Sequence, residues 1–326
     1  MNLVKPCPCG SNKEYDLCCA LFHKGALPEN ALQLMKSRYS AYVLNIPDYI
    51  MMTTHPANAQ YLENKFTWRR SIEKFSKNSF FHSLEVLDFK ERNTVATVTF
   101  TAYVSQEGHD ATFTEKSYFE KIGSHWLYRG GKLVQGRSPN LVTTGQLRIL
   151  PLAYYGDAVL RKKADPISQI NDDIRKLVEE MIETMDACEG MGLAAPQVHH
   201  SIRLFVIRKP VETEGKKFEL GEVKVFINPI LSEFSEENWR MSEGCLSIPA
   251  IRADVDRPLE LTVEYMTLDG TKVKERVRGW EAKVILHEFD HIEGILFIDR
   301  VDEKEKDTLK PFLQNLEKRI HDPRRM

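Results

Sequence analysis

The sequence predicts an α+β protein built from two domains. At 326 residues, the chain is longer than a typical single domain. Its first half reads as helices followed by a run of strands, and its second half as strands around one motif-bearing helix. Between the halves, residues 136–145 are rich in turn formers and poor in large apolar side chains. We therefore expect a linker at residues 139–146.

Composition and charge are those of an ordinary soluble globular protein. Hydrophobic residues make up 42% of the chain and the formal net charge is −2, which gives no general case for nucleic-acid binding. The chain opens without an apolar signal region, and it contains no run of eighteen apolar residues. We expect no membrane association and a cytoplasmic location.

Four of the six cysteines are crowded near the start of the chain, at Cys7, Cys9, Cys18 and Cys19. Two close pairs separated by a Gly-Ser turn can wrap one tetrahedral metal ion, and in a reducing compartment such a site is commoner than a disulfide framework. Four incidental thiols would be open to oxidation. The run Cys-Pro-Cys-Gly-Ser followed by Cys-Cys resembles the SEC-C motif, which implies a structural Zn²⁺ knuckle over residues 1–26 that docks an unidentified protein partner.

The rest of the first half predicts helices and then antiparallel strands. Alternation at Val95, Thr97 and Thr99 is typical of half-buried strands. Helices are expected over residues 30–43 and from Asp48, strands over 84–89, 95–104, 112–121 and 125–129, and core aromatics at Tyr103, Tyr118, Phe119, Trp126 and Tyr128. Together with the run Met35 to Tyr39, this segment resembles YchJ-like proteins. The resemblance implies a nuclear-transport-factor-2-like cone at residues 27–138. A second knuckle, often found in such proteins, is missing from this chain.

The second half, residues 147–326, predicts a capped amphipathic helix, several strands and two later helices. Asn171 or Asp172 can cap the first helix. Its apolar face comprises Ile174, Leu177, Val178, Met181, Ile182 and Met185. Strands are expected over residues 203–207, 224–228, 259–266 and 272–277, and a metal-binding helix from about Trp280. A last helix over residues 303–320 should turn Leu309, Phe312, Leu313 and Leu316 inward.

The run His287-Glu288-Phe289-Asp290-His291 predicts a catalytic metal site. Residues four apart share one face of a helix, so both imidazoles can bind one ion. Glu288 lies beside them and can act as the base for an activated water molecule. A solvated helix that carries two histidines by chance is the alternative.

An open catalytic site needs a third protein ligand. Cys245, in the run Glu243-Gly244-Cys245-Leu246-Ser247, is our choice, because a thiolate is a strong ligand for zinc or ferrous iron. A buried inert thiol is the commoner fate of a lone cysteine. Candidates downstream of the helix are Glu293, Asp299, Asp302 and Glu303.

A third block, Gly190-Met191-Gly192-Leu193-Ala194-Ala195-Pro196-Gln197, completes a recognisable set. In this order, the three blocks resemble the peptide deformylase motifs G-x-G-L-A-A-x-Q, E-G-C-L-S and H-E-x-D-H, with no departure at a fixed position. The resemblance covers residues 147 to 301, about half of the chain.

This resemblance implies a role for each matching residue. Cys245, His287 and His291 would bind Fe²⁺, which Zn²⁺ or Ni²⁺ often replaces in the family. Glu288 would take a proton from water and deliver it to the leaving amine, and Gln197 with the backbone N–H of Leu246 would stabilise the oxyanion. Gly190 and Gly192 would pair with the peptide. The methionine pocket would be lined by Met191, Glu243, Trp280 and Val284, and Arg257 would pair with Asp290 structurally.

The resemblance also implies a substrate class, the formyl-methionyl ends of nascent polypeptides. Two alternatives stay open, a zinc metalloprotease that would not need Cys245 and a non-catalytic adaptor with structural metal sites. The basic residues Lys318, Arg319, Arg324 and Arg325 are either a solvated tail or a contact with ribosomal RNA.

Overall fold

The computed structural model describes residues 6–58, 60–61, 64–213 and 217–321. They form two compact units: the first comprises the residues up to Leu147 together with residues 319–321, and the second runs from Arg148 to Lys318. In these ranges, no helix combines the length and the apolar character needed to cross a bilayer. Arg324 and Arg325 of the basic tail lie outside the described residues.

The first unit places short helices against an antiparallel sheet. The strand order is β1-β2-β4-β5, and β3 pairs with β2. The elements are α1 (Cys19–His23), α2 (Ala31–Val43), α3 (Pro47–Met52), α4 (Lys65–Asn78), β1 (Ser79–Arg92), β2 (Val95–Gln106), β3 (His109–Asp110), β4 (Phe113–Ile122) and β5 (His125–Gln135).

Helix α2 confirms the prediction over residues 30–43 and anchors the core of the first unit. The Asn30 side chain accepts a hydrogen bond from the backbone N–H of Gln33, which satisfies a free donor at the start of the helix. Its buried face includes Leu34 and packs in one cluster with Val98 and Phe100 of β2. This packing joins the helices to the sheet.

The prediction that β2 is half-buried was wrong. Residues 95–102 are buried on both faces. One face joins the core, while the threonines of the other are covered because the chain after β5 folds back over them. Thr114 of β4, whose hydroxyl is hydrogen-bonded to that of Thr101 in β2, contacts this returning segment. It donates to the carbonyl of Gly136 and accepts from the N–H of Ser138, both at 2.8 Å. Small β-branched threonines fit beneath this returning segment, so their alternation indicated a covered face and not a solvated one.

The aromatic residues predicted as core divide into two groups. Phe119 and Trp126 are buried and Tyr128 packs against the same cluster, as expected. Tyr103 and Tyr118 are only half-buried, and the Tyr103 hydroxyl donates to Glu85 at 2.7 Å. Helix α4 was not predicted, because only Trp68, Ile72 and Ser76 on its surface are buried.

The second unit wraps two antiparallel sheets around helix α6. The larger sheet has the order β12-β11-β8-β7-β6, and β9 pairs with β10 in a hairpin. The elements are α5 (Asp172–Ala187), β6 (Gly192–Ala194), β7 (Leu204–Thr213), β8 (Lys217–Ser232), β9 (Asn238–Cys245), β10 (Ile248–Pro258), β11 (Glu260–Met266), β12 (Lys272–Arg278), α6 (Gly279–Ile292) and α7 (Glu303–His321).

Both amphipathic helices of the second unit are present where the sequence predicts them. Asn171 caps α5 by accepting from the N–H of Ile174. In α7, Leu309, Leu313 and Leu316 are buried, but Phe312 is 44% exposed, so its predicted inward orientation was wrong. At 100° per residue, Phe312 lies about 60° from Leu309, beyond the edge of the buried stripe.

Candidate metal centre and active site

Helix α6 presents His287 and His291 on one face, as the four-residue spacing predicts. The ring centroids of the two histidines are 5.0 Å apart and nearly perpendicular. The helix is buried along most of its length because Ala282, Ile285 and Ile292 pack into the core of the second unit. Its rigidity fixes the separation of the two imidazoles.

Cys245 brings the third ligand atom from a different element. It ends β9, and the two-residue turn at Leu246 and Ser247 leads into β10. Its Sγ lies 3.3 Å from Nε2 of His291, and the ligand atoms of Cys245, His287 and His291 are all within 4.8 Å of one another. One sulfur and two imidazole nitrogens suit zinc or ferrous iron and leave a coordination position for water.

The downstream acidic residues are engaged elsewhere. Each bonds to a neighbouring cation or backbone amide, which removes it as a third ligand for the histidines. The bonds are those of Glu293 with Lys163 and Arg203, Asp299 with Arg161, Asp302 with the N–H of Glu305, and Glu303 with Lys306. Within the described ranges, the acidic, cysteine and histidine clusters able to bind a metal are this one and the N-terminal cysteines.

A buried charge network orients His287. Nδ1 of His287 lies 2.9 Å from Oε2 of Glu243, and Arg257 donates to both oxygens of that carboxylate at 2.9 and 3.0 Å. Arg257 also donates to Asp290 at 2.5 Å, as predicted, and Asp290 accepts from Arg300. A proton held on Nδ1 leaves Nε2 free to bind a metal ion.

The pKa values of this network follow from its hydrogen bonds. Burial alone would raise the pKa of Glu243, but bonds from His287 and Arg257 outweigh it and lower that pKa to about 2. Burial pushes the pKa of His291 well below its ordinary value, with a smaller effect from His287. His291 is therefore neutral, as a metal ligand must be.

Glu288 is the one carboxyl group at the centre with a raised pKa. Burial lifts its pKa to about 7. Its Oε2 is buried and has no hydrogen-bond partner among the described residues. A Cβ added to Gly192 would lie 2.4 Å from Glu288 Oε1 and 2.7 Å from its Cδ. Gly192 is thus required to make room for Glu288, a reason that the sequence pattern did not reveal.

Gln197 points its amide into the same centre. It lies in a 3₁₀ turn, Ala195–Val198, and its Oε1 accepts from the N–H of Ala194 at 2.8 Å. The amide Nε2 donates to Cys245 Sγ at 3.4 Å and to Ser247 Oγ at 3.3 Å. Ser247 is a contact that our sequence reasoning missed, although it belongs to the same motif as Cys245.

The predicted substrate-binding residues lie on or beside β6, β9 and α6, the elements that also carry Cys245, His287 and Glu288 or contact them. Strand β6 is the end strand of the larger sheet, and Gly190 precedes it; a Cβ at Gly190 would lie 2.9 Å from Leu246 Cδ1, the end of a flexible side chain. Met191 and Val284 pack in the same apolar cluster, and Trp280 stacks edge-on against Trp239 at 5.6 Å. Glu243, by contrast, turns its carboxylate to His287 and Arg257.

Comparisons with known proteins agree with this geometry. The polypeptide deformylase family model matches residues 149–307, the middle NTF2-like domain of YchJ matches 30–131, and the SEC-C motif matches 5–21. A curated peptide deformylase from Cytophaga hutchinsonii is 44% identical over 170 residues, which is 52% of this chain and 91% of that protein. The chain belongs to the peptide deformylase family.

Further relatives of the deformylase half come from other organisms. A peptide deformylase from Christiangramia forsetii is 42% identical over 177 residues, covering 52% of this chain and 90% of that protein. The crystal structure of the Thermotoga maritima peptide deformylase is 38% identical and covers 47% of this chain and 98% of that one, with a TM-score of 0.43. The deformylase half is that of a metal-dependent hydrolase that removes the N-formyl group from newly synthesised proteins.

The N-terminal cysteines of this deformylase form a second, separate cluster. Ligand atoms of Cys7, Cys9, Cys18 and Cys19 lie within 4.8 Å of one another. A hydrogen bond with Cys19 lowers the pKa of Cys9 to about 4, so Cys9 is a thiolate at neutral pH. Four sulfurs match a closed tetrahedral zinc site, and the SEC-C match over residues 5–21 contains all four cysteines.

Proposed function

We propose that the deformylase centre works through Cys245, His287 and His291 as metal ligands and Glu288 as the acid–base residue. The single observation that carries this proposal is the buried, unpartnered Glu288 oxygen beside three convergent ligand atoms. A divalent ion bound there would supply a Lewis acid that makes water nucleophilic at neutral pH. Ferrous iron fits the mixed sulfur and nitrogen donors, and zinc or nickel could replace it.

The pKa of Glu288 suits both proton-transfer steps, from water to the carboxylate and from the carboxylic acid to the leaving amine. With a pKa of about 7, its carboxylate can accept a proton from the attacking water, and the resulting acid can pass that proton to the departing amine. Burial excludes bulk water, which would otherwise exchange the proton. Because Gly192 has no side chain, the Glu288 carboxyl group can occupy the space next to the proposed metal ligands.

Gln197 and the backbone of Leu246 would stabilise the oxyanion. The Gln197 amide already donates toward Cys245, so it needs no rearrangement to meet charge that develops on a formyl oxygen nearby. Its rigidity comes from the bond that Ala194 donates to its oxygen. Leu246 starts the turn between β9 and β10, where its amide is outside the paired strands.

The substrate would add to β6 as an extended strand. An end strand offers backbone donors and acceptors to a peptide, and residues Gly190 to Gly192 lead directly into it. The methionine side chain would then enter the apolar surface formed by Met191, Trp280 and Val284. Glu243 would contribute to this pocket indirectly, because its hydrogen bond with His287 fixes the position of that imidazole ring.

Formate release from a formyl-methionyl tripeptide tests these roles. Protein purified anaerobically with ferrous iron would be compared with Glu288→Ala and Cys245→Ala. Because general acid–base catalysis contributes about 10²–10⁴-fold, Glu288→Ala should retain the metal and lose activity by that factor. Cys245→Ala should lose both metal and activity. A Cys245→Ala variant that stays active would instead indicate a protease-like centre.

For the first unit, we propose a structural Zn²⁺ in the four-cysteine knuckle and a role in binding a partner. Tethering raises the local concentration of enzyme near its substrate without any new contact in the active site. The ribosome is one such location, reached through the knuckle or the basic C-terminal tail. Pull-downs with and without residues 1–140 would identify the partner, and identical partner sets would exclude the idea.

We further propose domain limits at residues 1–26, 27–138, 139–146 and 147–326, with the enzyme in the cytoplasm. Support for the limits comes from the family matches and from the division of contacts at Leu147 and Arg148. A thiolate-bound ferrous ion is sensitive to oxygen, which favours a reducing compartment. Limited proteolysis should cut first within residues 139–146.

A further inference from the structure

A buried arginine of the first unit lacks a charged partner. Arg38 of α2 is 7% exposed, and it lies in the run Met35 to Tyr39, which the deformylase chemistry does not use. Its Nη1 donates to neutral oxygens at 2.9, 2.7 and 3.2 Å, those of Ile50, Thr53 and Thr54. Among the described residues, no carboxylate pairs with this guanidinium and nothing accepts from its Nε or Nη2. One edge of the group is therefore available to a further acceptor.

The second unit contains a buried arginine with the opposite surroundings. Arg257 is 4% exposed and donates to two carboxylates, those of Glu243 and Asp290. A buried charge is costly unless a counter-charge lies beside it. Arg257 has two such counter-charges, whereas Arg38 has none in the part of the chain that the structure describes.

A carboxylate projects into the same unit from the sheet. Glu115 of β4 lies directly opposite Phe100 of β2, a core residue, and opposite residues of antiparallel strands share one face. Its Oε1 accepts from the hydroxyls of Ser117 and Tyr128 at 2.6 and 2.7 Å. No described cation forms an ion pair with Glu115. The interior of the unit thus holds two opposite charges that do not pair with each other.

Two tyrosines connect these charges. The Arg38 guanidinium lies over the Tyr128 ring, with Cζ 4.7 Å from its centre, and the hydroxyl of that ring donates to Glu115. Burial raises the pKa of Tyr42, one helical turn after Arg38, and smaller opposing effects come from Arg38 and Glu115. Both charges therefore face a common space beside the two rings. We call Arg38, Tyr42, Glu115 and Tyr128 the cone site.

Apolar side chains border the cone site on its exposed side. Leu133 of β5 lies opposite Glu115 and so projects from the same face, yet it is 58% exposed. Phe75 of α4 is 37% exposed and contacts the Tyr42 ring edge-on at 5.5 Å. Between Leu133 and the tyrosines, Gly131 has no side chain, and a Cβ there would collide with Glu115 Oε1. A ligand could reach the charges past this apolar border.

We propose that the cone site binds a free amino acid with an apolar side chain. The ligand carboxylate would accept from Nε and Nη2 of Arg38, and its ammonium group would donate to Glu115, so that each charge gains a partner. A simple carboxylic acid would leave Glu115 unpaired, and a simple amine would leave Arg38 unpaired. The apolar side chain would lie toward Leu133 and Phe75. This site is separate from the deformylase centre, which belongs to the second unit.

Isothermal titration calorimetry of the full chain with L-leucine tests this proposal. Two analogues measure the contribution of each ligand charge: 4-methylpentanoate lacks the ammonium group, and isopentylamine lacks the carboxylate. Leucine should bind saturably. Each analogue should bind about 10–100-fold more weakly, because it loses the hydrogen bonds of one charged pair.

Two variants assign the binding to the cone site. Glu115→Gln keeps an oxygen for the two hydroxyl donors but removes the charge, and it should weaken leucine binding about tenfold or more. Leu133→Trp should obstruct the exposed side and weaken binding without altering either charge. Arg38 is not replaced, because its Nη1 bonds connect α2 to the end of α3. Matched controls at exposed positions, Glu107→Gln and Leu220→Trp, should bind leucine as the wild type does.

Formate release from a short peptide should be the same in all four variants, and circular dichroism would verify that the first unit is folded. Three results would overturn the proposal. In the first, leucine gives no saturable heat of binding. In the second, 4-methylpentanoate binds as tightly as leucine, so that the ammonium group has no partner. In the third, Glu115→Gln and Leu133→Trp bind leucine as well as their controls do, which would place the ligand elsewhere.

Discussion

The two metal-binding clusters of this chain are built in opposite ways. In the N-terminal knuckle, Cys9 and Cys18 are nine residues apart and lie in short turns, whereas Cys245 and His291 are 46 residues apart on a strand and a helix. The first cluster holds together the segment that carries it. The second lies in a scaffold of sheets and helices with its own hydrophobic core. We therefore expect that metal binding folds the N-terminal knuckle, whereas the deformylase site is already formed by the fold of the second unit.

The polar groups around the two clusters also differ: they are neutral at the knuckle and ionisable at the deformylase centre. Beside the knuckle sulfurs are neutral hydroxyls, Ser11 and Ser40. Beside the deformylase centre are two buried carboxyl groups, Glu243 with a pKa of about 2 and Glu288 with a pKa of about 7. Carboxyl groups whose pKa values are pushed apart can take different roles, one as a fixed charge and one as a proton carrier.

Removing metal should give the largest difference between the two sites. Binding energies for structural zinc reach about 10–16 kcal/mol, so stripping the knuckle should unfold residues 7–23. Helix α6 should remain folded because its core does not depend on the ion. Hydrogen exchange with and without chelator measures both regions in one sample. Equal loss of protection in α6 and the knuckle would contradict the comparison.

Gly192→Ala should strongly impair the deformylase centre. The new Cβ would displace the Glu288 carboxyl group, and misplacing a catalytic group by about 1 Å can cost about 10²-fold in rate. Gly190→Ala is the matched control, because its Cβ meets the flexible end of Leu246 instead. Steady-state formate release should show a lower kcat for Gly192→Ala than for Gly190→Ala. Equal rates would show that Glu288 can move without penalty.

Replacing Glu243 by Gln should weaken metal binding at the deformylase centre by about 10–100-fold, the usual cost of losing a carboxylate that orients a ligating histidine. The corresponding change at the knuckle is Ser40→Ala, next to Cys7, which removes only a neutral contact. Metal titration against a chelating dye should detect the first loss and little of the second. Similar losses at both sites would remove the distinction between them.

Mild acid should destabilise the first unit around His55. Burial lowers the pKa of His55 well below 6.5, and its Nδ1 accepts a bond from the N–H of Ala57. Its neighbours Glu120 and Arg129 lie on β4 and β5. The unfolded chain therefore binds the extra proton below about pH 6.5, and stability falls by up to about 1.4 kcal/mol per pH unit.

The second unit offers the contrasting case in Glu275. Burial opposes its ionisation, but Lys224 outweighs burial and lowers the pKa of Glu275 below 4.5, so this ion pair persists between pH 7 and 5. Hydrogen exchange across that range should show increasing opening near α3 but not near β12. His55→Gln should flatten the pH dependence of the first unit. An unchanged slope in that variant would show that another group titrates.

Sequence patterns predicted which residues the structure brings together in both clusters, because each of them lies in a local motif. The roles of Gly192 and Glu243 could not be read in the same way. Gly192 faces a side chain far along the chain, and Glu243 meets His287 across 44 residues, so neither contact has a local signature. These contacts exist only after β6, β9 and α6 have packed together.

The predicted elements were most accurate where side-chain periodicity is strong. Helices α2, α5 and α6 began within a residue or two of their expected starts. Strands β6, β9 and β10 were missed: β6 has only three residues, whereas the charged and apolar alternation of β10 is a strand signal that our sequence analysis overlooked. Short strands are fixed by their partners and not by propensity.

The position of β6 at the end of its sheet has a consequence for timing during protein synthesis. A three-residue strand at the end of a sheet can pair only with a chain end whose own amides are still uncommitted. A nascent protein whose first residues have already folded into a helix or hairpin offers no such strand. Deformylation therefore competes with folding of the N-terminus, and slowly folding chain ends have the longest interval in which to be processed.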